Sequence, residues 1–176
     1  MKPICITFAG PAGCSKSPVA HYLSCEFGLP VLTNDVVRSE VREDYPSGEF
    51  NQEEYTRRVI ARIKKFAADN KTFIYDASND RHWLKFLDNF ESPDSYEFAV
   101  ISFDLSEKFY KKLLKAKGYT DIYELADRYL ADHKKFLKEH SDVVACTITD
   151  ESFPQRLETA REAVYQFVAD KYHKIS

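Results

Sequence analysis

The chain has 176 residues, of which 44% are hydrophobic and 30% are charged, and its formal net charge is −3 at pH 7. This composition excludes an intrinsically disordered chain, and the slightly acidic balance disfavours a protein whose main role is to coat nucleic acid. The length suits one domain whose core is large enough to fold without disulfides. We therefore expect a single domain over residues 1–176.

The cysteines and the amino terminus indicate where the protein works. Cys5, Cys14, Cys25 and Cys146 form no C-x-x-C pair and have no histidine at metal-ligand spacing, which is typical of free thiols in a reducing compartment. The chain starts with a short apolar run of strand length and lacks the features of a secretory signal. No apolar stretch approaches the roughly 20 residues that cross a bilayer. We expect a cytoplasmic protein with no membrane association and no obligate protein partner.

Strand and helix patterns alternate along the chain, which predicts a parallel sheet with helices on both faces. The predicted strands are short runs of apolar or β-branched residues, at 4–9, 30–33, 72–75, 98–103 and 143–148. The predicted helices carry apolar residues at a period near 3.6. Four of them cover 16–27, 82–90, 106–140 with a break at Gly118, and 153–173. Two more lie between the second and third strands: one is capped by Asn34 or Asp35 and ends near 42, and the other begins after Asn51.

The segment 10–17, Gly-Pro-Ala-Gly-Cys-Ser-Lys-Ser, lies between the first predicted strand and the first predicted helix. A Walker A phosphate-binding loop requires this context, because backbone N–H groups and a helix N-terminus must converge on a phosphate. Lys16 would reach the β- and γ-phosphates of a nucleoside triphosphate, and the Ser17 hydroxyl would bind Mg²⁺. The predicted nucleotide-binding residues are Gly10, Ala12, Gly13, Cys14, Ser15, Lys16 and Ser17.

Two residues of this region depart from the Walker A pattern. Ser15 stands where a glycine usually precedes the lysine, and a serine in an unusual torsion costs about 1–3 kcal/mol. Pro18 suits the first turn of a helix, but it lacks an N–H that such loops often offer to the α-phosphate. Two alternatives to a working loop therefore stay open. One is a strand–turn–helix junction that only resembles the motif, and the other is a degenerate loop that no longer binds nucleotide.

Three acidic residues follow predicted strands, at the edge of the sheet where parallel α/β folds bind ligands. Asp35 precedes Arg38 by one helical turn, so both side chains can face one cleft. Asp35 could accept the proton of an attacking hydroxyl while Arg38 binds a phosphate or carboxylate of the acceptor; alternatively, Asp35 is only a helix cap and Arg38 is solvated. Asp76 could hold a Mg²⁺-bound water or bind the acceptor. Asp104 is expected to cap the next helix.

The strongly charged segment 106–140 is predicted to act as a helical lid. Its first part carries the lysines Lys108, Lys111, Lys112, Lys115 and Lys117. In phosphotransferases such a segment brings cations onto the phosphate that is being transferred. The alternative is a solvated amphipathic helix, which is the usual role of a charged run.

These motifs together resemble the group of P-loop kinases that includes the kinase domain of bacteriophage polynucleotide kinase, the zeta toxins and chloramphenicol phosphotransferase. The matching residues are Gly10-Pro11-Ala12-Gly13 with Lys16-Ser17, Asn34-Asp35 with Arg38, and Asp76-Ala77-Ser78-Asn79 with Arg81. The resemblance implies a three-layer α/β P-loop fold with a five-stranded parallel sheet in the order 2-3-1-4-5 and a helical lid. It also implies ATP and Mg²⁺ as cofactors and transfer of the γ-phosphoryl group to a hydroxyl.

The resemblance further implies roles for individual residues near the acceptor. Asp35 would be the general base, and Arg38 and Asp76 would bind the acceptor. Catalysis would also involve Lys16 of the phosphate loop, as in other members of the group.

The lid departs from this group. The arginines expected there fall on Lys112 and Lys117 by position, and lysine cannot give a phosphoryl group the planar two-point contact of arginine. Arg128, in the following helix, is a candidate to take their place. Weak or unusual catalysis is therefore expected.

Three classes of function remain open from the sequence. The first is an ATP-dependent kinase of a hydroxyl on a nucleic-acid 5′ end, a nucleotide or a small metabolite. The acidic balance favours a small acceptor, whereas Arg38, Arg57, Arg58 and Arg62 would suit an oligonucleotide. The second is a nucleotide-binding switch or pseudokinase with weak or no transfer, and the third is an interaction domain that binds no nucleotide.

Overall fold

A parallel sheet occupies the centre of the computed structural model, which describes residues 2–173. Its strands are β1 (Ile4–Ala9), β2 (Val31–Thr33), β3 (Phe73–Ser78), β4 (Glu97–Phe103) and β5 (Val144–Ile148). All neighbouring strands are parallel and follow the order β2-β3-β1-β4-β5, which confirms the predicted order.

Helices cover both faces of this sheet. They are α1 (Lys16–Phe27), α2 (Asn34–Asp44), α3 (Gln52–Ala68), α4 (Trp83–Leu87), α5 (Glu107–Ala116), α6 (Thr120–Glu124), α7 (Ala126–Glu139) and α8 (Arg156–His173). No helix within residues 2–173 is both long enough and apolar enough to span a bilayer.

Alternate residues of β1 enter two different apolar clusters, one on each face of the sheet. Ile4, Ile6 and Phe8 pack in the cluster that includes residues of α1 and α8, whereas Cys5 and Ala9 pack in the cluster that includes residues of α3 and α4. Successive side chains of a strand point to opposite faces, so a strand that is covered on both sides is apolar at nearly every position. This burial explains why the strands could be recognised as short apolar runs.

The third strand is longer than its sequence pattern predicts. β3 continues through Ser78, so Asp76 lies inside the strand instead of directly after it. Its backbone stays paired on both sides, because Asp76 is opposite Thr33 of β2 and Ser78 is opposite Phe8 of β1. A charged residue usually marks the end of a buried strand, but here the carboxylate is buried with the strand that carries it.

Two predicted helix caps were wrong, and a third was confirmed. α2 begins at Asn34 after an extended Thr33, and no side chain caps it, so Asp35 has no capping role. Ser106 caps α5 in place of Asp104, whose N–H instead donates to the carbonyl of Ile148 and thereby extends the pairing of β4 with β5. The side chain of Asn51 caps α3 as predicted, by accepting a hydrogen bond from the N–H of Glu54. The polar residue nearest to a strand end is therefore not always the cap.

The segment 106–140 forms three consecutive helices, α5, α6 and α7. The predicted break occurs at Gly118, which adopts a φ of 69°. One side of α5 and α7 is buried, with Tyr110, Leu114 and Leu130 in the cluster beside α1 and Phe136 in the cluster beside α3. The segment is therefore partly packed on the sheet and partly exposed.

Candidate active site

Residues 10–17 form a tight turn from β1 into α1, which we call the phosphate loop. The backbone takes a positive φ at Gly10 (133°), Gly13 (78°) and Ser15 (74°). A β-carbon at Gly10 would lie only 2.8 Å from Cβ of Phe103, so glycine is required there for steric as well as torsional reasons. The strand–loop–helix context that the Walker A motif needs is present.

Ser15 adopts the left-handed conformation that a glycine would adopt without strain, with φ 74° and ψ 38°. Its hydroxyl accepts a hydrogen bond of 2.7 Å from Nζ of Lys117. The same ammonium group donates to the carbonyl of Gly13, also at 2.7 Å. The departure from the motif at Ser15 is thus accommodated by contacts from the end of α5.

Lys16 is folded over the phosphate loop and is only 9% exposed. Its ammonium group donates to the carbonyls of Pro11 (2.6 Å) and Gly10 (3.1 Å) and contacts Sγ of Cys14 (3.3 Å). The N-terminus of α1 has no side-chain cap and no acidic residue in its first turn. Its first N–H groups therefore suit an anion, and the positive end of the helix dipole favours one. The loop fits a polyphosphate.

Asp76 lies beside the start of α1, with 7% of its surface exposed. Burial raises the pKa of Asp76, although the nearby Ser17 hydroxyl and the positive charge of Lys16 partly offset this effect. A hydroxyl and a carboxylate are oxygen ligands of the kind that Mg²⁺ prefers. The structure therefore brings Lys16, Ser17 and Asp76 together at the carboxyl end of the sheet.

The raised pKa of Asp76 predicts that this carboxylate opposes folding at neutral pH. The folded-state pKa exceeds the unfolded value of about 3.9, so the free energy of unfolding falls as the pH rises through the folded-state pKa. The neutral Asp76→Asn variant keeps an oxygen that can accept from Ser17. We expect the nucleotide-free variant to need more urea than the wild type to unfold at about pH 7, and this difference to vanish as the pH falls toward about 3.9.

Urea titrations at several pH values check this expectation, with Asp104→Asn as a control on an exposed carboxyl group. An Asp76→Asn variant that is less stable than the wild type at neutral pH would contradict it. A difference in stability that stays constant with pH would also contradict it.

Asp35 and Arg38 lie in the first turns of α2 and form a loose ion pair, with 4.0 Å between Oδ1 of Asp35 and Nε of Arg38. The Asp35 side chain is 86% exposed and that of Arg38 is 43% exposed. The guanidinium of Arg38 lies over the rings of Tyr55 (5.1 Å) and Phe50 (5.6 Å). Arg38 is therefore held against aromatic rings rather than fully solvated, and its exposed edge can still reach a ligand.

The loop that follows β3, residues 79–82, which we call the post-β3 loop, is held by hydrogen bonds beside β1 and the phosphate loop. The Ser78 hydroxyl at the end of β3 donates to the carbonyl of Gly10 (3.1 Å). Asn79 donates from its backbone to the carbonyl of Phe8 (3.0 Å) and from its side chain to the hydroxyl of Thr7 (2.7 Å). The post-β3 loop therefore has a fixed position relative to the phosphate loop.

A buried network of polar side chains, which the sequence pattern did not reveal, joins the phosphate loop to α7. Oδ2 of Asp80 accepts the N–H of Gly10 (2.6 Å) and lies 2.9 Å from Nδ1 of His133. Nε2 of His133 is 3.2 Å from the hydroxyl of Ser102 on β4. The side chains of Asp80 and His133 are 5% and 1% exposed. The available sequence signal was a histidine on the apolar stripe of a helix, a pattern that more often indicates packing than function.

The predicted cations of the segment 106–140 occupy different environments. Lys117 contacts the phosphate loop, and burial lowers the pKa of its ammonium group. Lys112 is exposed on α5. Arg128 is exposed on α7, where it lines a cleft of about 510 Å³ together with Arg81. Of these three predicted lid residues, Lys117 is the one that the structure places on the loop.

No protein-family model matches the sequence, and no curated protein matches it. Solved structures do resemble this chain. A gluconokinase from Sinorhizobium meliloti 1021 has a TM-score of 0.67 and 14% identity, covering 98% of this chain and 97% of that chain. A structure from the PezAT toxin–antitoxin system of Streptococcus pneumoniae has a TM-score of 0.56 and 13% identity, covering 96% of this chain and 87% of that chain. A shikimate kinase from Bacteroides thetaiotaomicron has a TM-score of 0.55 and 9% identity, covering 92% of this chain and 98% of that chain.

At such low identities these similarities concern the fold. They confirm the P-loop kinase fold, with its parallel sheet and its helices on both faces. They do not show the more specific resemblance to polynucleotide kinase or to chloramphenicol phosphotransferase.

Proposed function

We propose that this protein is a kinase that uses ATP and Mg²⁺ to phosphorylate a hydroxyl group of a small molecule. The observation that carries the proposal is the turn from β1 into the uncapped N-terminus of α1, with the buried ammonium group of Lys16 folded over it. The structures that share its fold support a small acceptor, since they include a gluconokinase and a shikimate kinase.

ATP would bind with its phosphates on the backbone N–H groups at the start of α1. Lys16 would exchange the carbonyls of Gly10 and Pro11 for phosphate oxygens, since an ammonium group bonds more strongly to an anion than to a neutral carbonyl. Ser17 and Asp76 would hold Mg²⁺, directly or through water. When bound, ATP supplies the phosphoryl group and Mg²⁺ offsets its negative charge.

Asp35 and Arg38 would prepare the acceptor. The carboxylate of Asp35 takes the proton of the acceptor hydroxyl, the freed oxygen forms a bond to the γ-phosphorus, and the bond to ADP breaks. Arg38, held over Tyr55 and Phe50, would bind an anionic or hydroxylated part of the acceptor.

A transfer assay with γ-labelled ATP, Mg²⁺ and a panel of acceptors tests this proposal. The panel contains sugars, sugar acids, hydroxylated cyclic acids, nucleosides, nucleotides and a 5′-hydroxyl oligonucleotide. We expect label in a small molecule, and we expect Asp35→Asn to lower the turnover number about a hundredfold while nucleotide binding stays unchanged. Asp104→Asn, an exposed carboxyl group that follows β4, serves as the matched control.

The outcomes of this assay separate the parts of the proposal. Wild-type turnover in Asp35→Asn would show that Asp35 is not the general base. Label in the oligonucleotide alone would replace the small acceptor by a nucleic-acid end.

A nucleotide-binding switch with little or no transfer is a second candidate function, and the strained Ser15 favours it. Both Ser15 and Gly13 are bound by Lys117, so a cation that could stabilise transfer is engaged by the loop itself. Such a switch would bind Mg²⁺·ATP tightly and yet release no phosphate to water or to any acceptor.

A further inference from the structure

Arg81 lies beside the first half of the phosphate loop. A small cavity of about 20 Å³ lies between them, lined by Gly10, Pro11, Ala12, Ser78, Asp80, Arg81, Tyr129 and Asp132. This volume suits a single water-sized group. The cavity therefore brings the Arg81 side chain and the loop backbone to a common space.

In the proposed complex this space lies near the β- and γ-phosphates. The lysine of a Walker A loop reaches the β- and γ-phosphates. Here the ammonium group of Lys16 lies 2.6 Å from the carbonyl of Pro11 and 3.1 Å from that of Gly10, two of the residues that line the cavity. The Lys117 contacts are farther along the loop, at Gly13 and Ser15. Arg81 and Lys117 thus approach the loop at different places.

The guanidinium of Arg81 is held by two residues of α7. It lies over the ring of Tyr129, with 4.9 Å between the guanidinium carbon and the ring centroid. Its Nε is 3.9 Å from Oδ2 of Asp132, an atom that is buried and makes no hydrogen bond within residues 2–173. With 40% of its side chain exposed, Arg81 is oriented without being enclosed.

The backbone that carries Arg81 is fixed as well. The preceding residue, Asp80, binds the N–H of Gly10 at 2.6 Å and contacts His133 of α7 at 2.9 Å. Asn79 is bonded to β1 through its backbone and its side chain. Because these bonds tie the post-β3 loop to the phosphate loop, the backbone position of Arg81 is set by the fold.

We propose that Arg81 contacts the phosphoryl group during transfer, the role for which an arginine of the segment 106–140 was expected. This inference rests on the kinase function proposed above. As the acceptor oxygen bonds to phosphorus and the bond to ADP breaks, the hydroxyl proton goes to Asp35, and the guanidinium of Arg81 offsets negative charge on the phosphoryl oxygens. Tyr129 and Asp132 are positioning residues that hold its planar group for a two-point contact.

The test uses the full chain with Mg²⁺·ATP and water as the acceptor, so that it needs no identified substrate. The rate of ATP hydrolysis at saturating nucleotide is compared for wild type, Arg81→Lys, Arg81→Ala and the control Arg161→Ala, whose guanidinium on α8 pairs with Glu26. We expect both Arg81 variants to lose about a hundredfold in turnover while the dissociation constant of Mg²⁺·ATP stays similar, because lysine keeps the charge but not the planar fork. Added guanidinium ion should restore part of the rate of Arg81→Ala and none of that of Arg81→Lys.

The hydrolysis assay distinguishes a failure of the role of Arg81 from a failure of the kinase function. If Arg81→Lys or Arg81→Ala hydrolyses ATP at the wild-type rate, the role of Arg81 is overturned while the kinase function stands. If the loss appears only as weaker nucleotide binding, Arg81 is a ground-state binding residue and the inference is also overturned. If the wild type neither hydrolyses ATP nor transfers its phosphate, the kinase function and the role of Arg81 fall together.

Discussion

Replacing Lys16 with methionine is expected to lower the rate of phosphoryl transfer by about a thousandfold. Methionine keeps the length of the side chain but supplies no donor and no charge. The structure places this ammonium group between the carbonyls of Pro11 and Gly10, at the centre of the phosphate loop. In the proposed complex this ammonium group contacts the phosphates, so its loss should weaken binding of the ground state and of the transition state.

Two measurements check the role of Lys16. One is the transfer rate, and the other is the rise in melting temperature on addition of Mg²⁺·ATP, since a ligand stabilises the folded state by RT ln(1 + [L]/Kd). Lys65→Met, on an exposed position of α3, is the control and should behave as wild type in both. A wild-type melting shift and a wild-type rate in Lys16→Met would refute nucleotide binding at this loop. No shift in any of the three proteins would instead favour a domain that binds no nucleotide.

The second large effect is a loss of stability on disrupting the buried network of Asp80, His133 and Ser102. His133→Leu leaves the carboxylate of Asp80, which is 5% exposed, with the N–H of Gly10 but without its imidazole partner. A buried carboxylate that loses a partner is costly, so we expect the free energy of unfolding to fall by about 3 kcal/mol. Urea unfolding of the nucleotide-free protein measures this change.

A double-mutant cycle separates the loss of this pair from a general loss of packing. Asp80→Asn alone leaves His133 facing an amide, and His133→Leu alone leaves a charged group without its partner. The double variant contains neither mismatch, so it should be clearly more stable than the sum of the two single effects predicts. Additive effects, within about 0.5 kcal/mol, would show that the two side chains are not coupled.

The fold was predictable from local patterns. Buried parallel strands are short apolar runs, and each helix shows its buried face as a period near 3.6, as in the stripe of Val19, Ala20 and Leu23 on α1. The phosphate loop was predictable because its glycines and its lysine must lie at fixed spacings between a strand and a helix. The boundary of β3 was not predictable, because the burial of Asp76 depends on neighbours that are distant in sequence.

The contacts within the candidate site depend on pairs that are far apart in the chain. Asp80 and His133 are separated by 53 positions, and Ser15 and Lys117 by 102. A single sequence gives residue types and spacings, but it contains no record of which side chains meet across the sheet. The role of Lys117 in accommodating Ser15 therefore emerged only from the structure.

The phosphate loop and α5 share a surface, and this makes the helix sensitive to the contents of the loop. The hydroxyl of Tyr110 donates to the carbonyl of Ala12, and a β-carbon on Gly13 would lie 2.9 Å from Leu114 and 3.1 Å from Tyr119. A ligand that redirects the backbone groups of Ala12 and Gly13 must therefore also change how α5 packs against the phosphate loop.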